Sequence, residues 1–456
     1  MILLALACGT EPPPALPPTI RERFGEYAFL TPIDTPSTVP LVAGGEIDTR
    51  AATCATCHAE NHAEWAASTH ASAMRDVQFF AEMQKPDQPR WLCLNCHAPT
   101  SPQRAELITL NTRLASTTSI AALTTGPNPN FDAARVAEGV TCATCHVRRD
   151  ADGQGIILGP HGAATAPHRV RKDPAALAGI CQTCHSPGGN IVITPTFPCW
   201  FETAEEVAAG PDAGKPCTTC HMPQVERPAA TDAAPHTVRR HAWTGSGIPK
   251  TTGGFSTLLG RGWESGLNVD FQLDPLRVTL TNARAGHALP TGDPERFLRV
   301  EASVDSKDGA ALATDVLRLG QTWDWGDVAT ARPAKRVADT RLLPGEARDW
   351  TPQISAEGAD TLRIEVLSVR LTAANAEGMA GTRLDAQLLS LWPAGQGAID
   401  GFAAGYPLAT YVYRLQLNLA DGGLRIADAP TLLADSIALA ALDPKLRAER
   451  LKIPHP

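Results

Sequence analysis

The pattern C-x-x-C-H occurs five times in this chain: Cys54-Ala-Thr-Cys57-His58, Cys93-Leu-Asn-Cys96-His97, Cys142-Ala-Thr-Cys145-His146, Cys181-Gln-Thr-Cys184-His185 and Cys217-Thr-Thr-Cys220-His221. Two thiols one helical turn apart can both add to the vinyl groups of one haem, and the next residue, His, then lies under the iron. Ten of the twelve cysteines are used this way. Zinc is the competing reading, because C-x-x-C pairs also build tetrahedral sites. Zinc gives no reason for a His after every second Cys, and a disulfide framework needs no His at all. The expectation is five covalently bound haems c, with His58, His97, His146, His185 and His221 as proximal ligands.

With 456 residues the chain has room for two or three domains. Its formal charge of −8 becomes more negative once haem propionates are added, which argues against nucleic acid as a partner. Haem is attached by thioether bonds outside the cytoplasm, so export is expected. Residues 1–8 fit a lipoprotein-type signal remnant: an apolar run, Met1-Ile-Leu-Leu-Ala-Leu-Ala, ends at Cys8, whose lipidation would anchor the chain to a membrane. The run lacks a basic start and has Ala5 where a larger aliphatic residue is usual. The alternative is a free Cys in a short apolar segment. Residues 9–45 hold Pro12, Pro13, Pro14, Pro17, Pro18, Pro32, Pro36 and Pro40, an extended tether by composition. The expected location is the periplasm or outer surface of a bacterium.

Residues 46–250 contain every motif and form the expected pentahaem domain. Helix formers run from residue 50 to 85 without Pro or Gly. His62, four residues after His58, sits on the same helical side and cannot reach the far face of that haem. His70, twelve residues on, is about 18 Å away along a helix, so it can bind only the iron of a neighbouring haem. A second helix is expected over Gln103–Leu114, followed by a loop.

The run Cys54-x-x-Cys57-His58…Trp65-x-x-Ser68-x-His70-x-x-Ala73 resembles the opening of the tetrahaem cytochrome c and hydroxylamine oxidoreductase-like superfamily. Glu138-Gly139-Val140-Thr141-Cys142 and Cys217-Thr-Thr-Cys220-His221-Met222-Pro223 are similar to later signatures of that group. The resemblance spans roughly residues 50–250 and implies distal ligation by His70. It implies the same for His168, which follows Pro167, and for His241 in Arg239-Arg240-His241-Ala-Trp243. His161 competes as a ligand or as an exposed loop residue, and His236 is a weaker competitor to His241.

Glycines cluster over 251–268, which reads as a linker. Beyond it the apolar period becomes two, as in Leu298-Arg-Val300-Glu-Ala302-Ser-Val304 and Leu362-Arg-Ile364-Glu-Val366. Turn signals such as Asp308-Gly309 and Asp421-Gly422 separate these runs. An antiparallel β-sandwich over 269–430 is expected, then a tail over 431–456. The fold class is thus α+β multidomain: a mainly helical, loop-rich pentahaem domain followed by a β-sandwich. His287 lies between two of its strands, in Gly286-His287-Ala-Leu289-Pro290-Thr291-Gly292. It is either a turn histidine or a ligand presented across the domain boundary. The resemblance favours the ligand, because a Gly-His-x-x-Pro-Thr-Gly element recurs in β domains of the superfamily.

Eight histidines lie outside the motifs, enough to give each iron a second imidazole. That supply points to an electron carrier, with no catalytic side chain and with other cytochromes or a membrane quinol oxidase complex as redox partners. The alternative is an oxidoreductase acting on a small nitrogen compound at one open haem, which relatives make familiar. No C-x-x-C-K motif of the kind found in related nitrite reductases occurs here. Mass spectrometry of the denatured, acid-extracted chain is expected to show five haem increments. Zinc with no retained haem would overturn the reading.

Overall fold

The computed structural model describes residues 32–85, 90–108, 125–162, 165–186, 191–194, 197–199, 202–243, 245, 247–250, 254–255, 257, 263–326 and 335–453. Cys8, the apolar run around it, the proline-rich stretch to residue 31 and most of 251–262 lie outside them. The chain is an α+β multidomain protein. Its first half is made of short helices: α1 (Ala51–Ala55), α2 (Ala59–Ala66), α3 (Val77–Gln84), α4 (Arg90–His97), α5 (Cys142–His146), α6 (Gln182–His185), α7 (Thr203–Ala209) and α8 (Thr218–His221). Small two- and three-stranded sheets fill the spaces between them.

The long helical stretch expected over 50–85 is broken twice. His58 leaves helical dihedrals (φ −105°, ψ 48°) and caps α2. The second break is held from outside. Trp65 Nε1 donates to Val140 O at 2.8 Å, and Val140 N donates to His70 O at 3.0 Å. A carbonyl that a continuing helix would use internally is thereby satisfied by a distant segment.

Two further expectations differ from the structure. Among the described residues of the helix expected over Gln103–Leu114, no helix forms: Ser101–Gln103 is one 3-10 turn and Glu106–Ile108 is a strand paired with Thr125–Pro127, while 109–114 lie outside the described residues. Gln103 is buried, and its Nε2 donates to Arg135 O (3.0 Å) and Gly139 O (2.8 Å), a tertiary use that helix propensity does not register. Nor is all of 9–45 a tether. Thr38–Pro40 pairs with Glu46–Asp48, and Val39 is fully buried against Ala143 and Val147. One apolar side chain with a place to bury docks the end of an otherwise polar, proline-rich segment.

The second half holds β1 (Leu267–Leu273), β2 (Leu276–Asn282), β3 (Phe297–Asp305), β4 (Ala311–Asp324), β5 (Lys335–Asp339), β6 (Ala347–Trp350), β7 (Thr361–Val369), β8 (Ala409–Asn418) and β9 (Leu424–Ile426). They form a three-stranded sheet, β1-β2-β6, and a six-stranded one, β5-β4-β3-β7-β8-β9, with antiparallel neighbours. Alternation decides the faces. Leu298, Val300 and Val304 join Leu362, Ile364 and Val366 in a core shared with Val278 and Leu280 of the smaller sheet. Burying each such aliphatic side chain is worth about 1.5–3 kcal/mol. An extra residue, Val412, shifts the β7–β8 register, so Leu415 and Leu417 face the small sheet while Ala409 and Tyr411 face the other way.

That other face is covered by α9 (Ala373–Ala380), α10 (Phe402–Gly405), α11 (Ala429–Ala441) and α12 (Pro444–Leu451). The domain therefore has three layers, and the segment expected as a tail over 431–456 is, as far as residue 453, part of its core. Leu432, Leu433, Leu439 and Leu451 are buried. The half that carries the C-x-x-C-H motifs is packed into the same body. Phe79, Phe80 and Met83 of α3 share a core with Leu384, Leu388 and Ile399, and the Phe80 and Trp392 rings meet edge-on at 5.0 Å.

Under α12, Arg450 NH1 binds Glu301 (2.8 Å), and its other terminal nitrogen binds Glu365. Arg299 and Arg414 are the second partners of those carboxylates. Burial pushes the Glu301 pKa up, but Arg450 and Arg299 outweigh it and hold the group below its ordinary value. Arg450→Ala is expected to cost about 2–3 kcal/mol in urea unfolding at neutral pH, somewhat less than for a buried charge left with no partner. A carboxylate with a depressed folded pKa contributes stability above its unfolded pKa and loses it as pH falls through the folded one. The gap between wild type and variant should therefore narrow in acid.

Candidate haem centres

Each C-x-x-C-H motif closes a helical turn. His58 N bonds to Cys54 O (2.8 Å), His185 N to Cys181 O (3.0 Å) and His221 N to Cys217 O (3.0 Å). That turn sets both thiols and the imidazole on one side. Three of the motif histidine rings are then oriented by carbonyls. His58 Nδ1 lies 2.7 Å from Ala229 O, His97 Nδ1 3.2 Å from Ala73 O, and His146 Nδ1 2.8 Å from Leu158 O. A carbonyl can only accept, so Nδ1 carries the proton and Nε2 keeps its lone pair for a metal.

Three of the five motif rings have a second imidazole opposite them. The centroid separations are 6.3 Å for His185 and His70, 6.1 Å for His146 and His241, and 6.2 Å for His221 and His287. A metal–nitrogen bond of about 2.0 Å on each side, with each ring centre about 1 Å further out, places centroids about 6 Å apart. The gaps are the size of one six-coordinate iron. Two of the opposing rings are also fixed by carbonyls: His241 Nδ1 to Arg239 O (3.0 Å) and His287 Nδ1 to Ala288 O (3.0 Å). Burial among neighbouring imidazoles lowers His70 to about 3 and His185 and His241 to about 4, so all three are neutral donors near pH 7. Donors meet in twos. Among the described residues no group of three or more His, Cys, Asp or Glu is arranged to hold a metal ion, as tetrahedral zinc would need.

The other histidines divide clearly. His168 is half-buried and within electrostatic reach of His58, and its Nδ1 has no hydrogen-bond partner in the structure. His161, expected as a possible ligand, is exposed in the turn after Gly155–Gly159. That strand pairs with Val170–Lys172, and the chain turns outward at Gly159 and Pro160, so His168 and not His161 comes back toward His58. His236 is exposed at a strand start and bonds to Ala234 O within its own loop. His97 faces no imidazole among the described residues; the Phe79 ring lies flat on it at 3.6 Å.

Thiol contacts order the motifs in space. Cys54 is hydrogen-bonded to Cys142, Cys96 to Cys184, and Cys181 to Cys217, while Cys145 is within electrostatic reach of Cys184. The first motif thus adjoins the third, the third the fourth, and the fourth both the fifth and the second. His70 follows the first motif in sequence but faces the His of the fourth. This is the crossed arrangement that its distance from His58 requires.

Several residues of the site carried no recognisable signal in the sequence. Glu64 reads only as a helix former, yet its carboxylate accepts from His241 N (2.7 Å) and pairs with Arg227. Beside His97, Asp76 is buried, ion-paired with Lys250 and bonded by Tyr406 OH (3.0 Å), and Arg370 donates to Tyr406 in turn. Burial, helped by the nearby Arg370, lowers Lys250 to about 8 even though Asp76 pulls it upward.

Gly139 is the point where sequence signature and geometry meet. It has φ +60°, and a Cβ there would lie 2.6 Å from His70 O. Gly139→Ala is expected to push the His70 backbone away from His185 and to convert one haem from low to high spin, read by electron paramagnetic resonance.

Residues 53–120 match the family model described as cytochrome c554 and c-prime. No curated protein matches the chain by sequence. The fold is similar to that of a penta-haem cytochrome c552 from Thermochromatium tepidum, with a TM-score of 0.51 and 19% identity, over 80% of this chain and 97% of that one. Together with the five C-x-x-C-H motifs, these likenesses support a multihaem c-type cytochrome.

Proposed function

We propose that this chain is an extracytoplasmic electron carrier with five covalently bound haems c. The single observation that supports it most is the set of facing imidazole pairs, His70–His185, His146–His241 and His221–His287, each with an iron-sized gap. His168 opposite His58 is the fourth pair in this reading. Bound haem supplies one-electron chemistry at iron, and two imidazoles give it a lower potential than His/Met ligation would. The protein's part is to hold the rings, keep them neutral and keep the motifs adjacent. Contacts in the order first, third, fourth, fifth, with the second beside the fourth, offer a continuous path for electrons. The partners are other redox proteins, either cytochromes or a quinol-oxidising membrane complex. Lipidation of Cys8 would keep the carrier at a membrane surface.

One observation favours a second reading. His97 has Phe79 against its ring and no opposing imidazole among the described residues. The haem of Cys93 and Cys96 would then have an open face, and the chain would be an oxidoreductase for a small nitrogen compound fed by the other four haems.

Carbon monoxide titration of the reduced protein tests the ligand assignments, and a turnover assay separates the two readings. The expected result is one molecule bound per chain, with four haems remaining low-spin. Two or more bound would overturn the ligand assignments. Sustained turnover of nitrite or hydroxylamine, lost when carbon monoxide occupies that haem, would replace the carrier by the enzyme.

A further inference from the structure

The loop that presents His287 is gripped from the haem-bearing half by one carboxylate. Glu206, on α7 between the fourth and fifth motifs, is buried with 8% of its side chain exposed. Its Oε2 accepts from Ala288 N (3.0 Å) and Thr291 Oγ1 (2.7 Å), and its Oε1 accepts from Arg341 NH1 (2.6 Å). Arg341 is itself buried and held by Asp339. The contact at Ala288 matters most, because the His287 ring donates to the carbonyl of that same residue. Glu206 therefore fixes one end of the residue whose other end orients the imidazole. The helix is fixed in turn, since Ala204 N donates to Ser186 Oγ, next to His185.

We infer that Glu206, charge-balanced by Arg341, is a positioning residue that sets His287 opposite His221. This rests on the proposed ligation by His287 and adds a part that is legible in no motif. Helix propensity and an ordinary surface ion pair would account for a Glu in α7, but not for a buried carboxylate saturated by three donors from the other domain. The same peptide link makes the spin state of the fifth-motif haem depend on how α7 sits against the β domain.

The test uses the full haem-loaded chain in four variants: Glu206→Ala, Glu206→Gln, His287→Ala and Arg336→Gln. Arg336 pairs with Glu202 on the same seam (2.9 Å) and reaches Asp339 beside Arg341 (3.5 Å), so it controls for general docking and for a charge lost next to that pair. Haem content is measured first, then the paramagnetic resonance spectrum and carbon monoxide stoichiometry. His287→Ala and Glu206→Ala are both expected to gain one high-spin haem and one further carbon monoxide per chain. Added imidazole should restore the low-spin signal in both. Glu206→Gln keeps an acceptor toward Ala288 but sets an amide NH2 against Arg341, and is expected to populate the high-spin form in part; it serves if the alanine variant fails to load haem. Arg336→Gln should match wild type. A wild-type spectrum in both Glu206 variants, with a high-spin haem in His287→Ala, overturns the inference and leaves the ligation standing. A wild-type spectrum in His287→Ala overturns both.

Discussion

Two imidazoles facing each other across about 6 Å are the constraint to which the rest of this structure answers. Their ligating nitrogens must converge on one point, while the chain between them runs through other motifs or, for His221 and His287, into the β domain. Closing such long loops costs entropy that grows only slowly with length, about 0.6 kcal/mol per doubling. What remains expensive is aiming the rings. Where a motif histidine has a resolved Nδ1 hydrogen bond (His58, His97 and His146), a backbone carbonyl aims the ring, and these carbonyls belong to segments fixed for other reasons. Leu158 lies in a strand, Ala73 precedes the cap of α3, and Ala229 follows a strand. Short helices and small hairpins suit this task, because each places one carbonyl or one ring without needing a large core of its own.

The β domain supplies the extended core that the haem-bearing half lacks. Its larger sheet is covered on one side by the smaller sheet and on the other by helices. Through α3 that apolar body reaches into the haem-bearing half, so Phe79 packs on His97 while Phe80 meets Trp392. Polar contacts close the seam where the apolar ones end. Lys250, Asp76, Tyr406 and Arg370 form one buried network, and Glu206 and Arg341 form another. Breaking either network would leave uncompensated charge in a low-dielectric place, which favours one docked arrangement over many. The glycine-rich stretch over 251–268 reads as a linker by composition, and the segments before and after it are held together by contacts such as Asp76 with Tyr406 and Phe80 with Trp392.

The attachment motifs were legible because thioether chemistry demands two thiols, one helical turn and a His in immediate succession. That local rule leaves a local trace. Strand alternation over Leu298–Val304 and Leu362–Val366 was legible for a similar reason, since a sheet face repeats every two residues. The break near Ser68, the strand at Glu106–Ile108 and the docking of Val39 were not, because each depends on a partner far away in sequence. The same limit applied to the second imidazoles. Distance along a helix excluded His62 and freed His70 for another haem, but could not say which haem. By residue type His161 and His168 look alike as Pro-flanked loop histidines; the family resemblance favours His168, and the structure brings His168 within electrostatic reach of His58 while His161 is exposed.

By itself the sequence determined five C-x-x-C-H motifs with the spacing that haem attachment demands, the change from helical to alternating pattern near residue 268, and the excess of histidines over motifs. Tertiary structure alone decided which imidazole faces which, that His97 is left with Phe79, and that Glu206 grips the His287 loop. The physical reason is range. Covalent attachment and side-chain period act within one turn or one pleat, whereas a shared metal position is fixed by the packing of several segments at once.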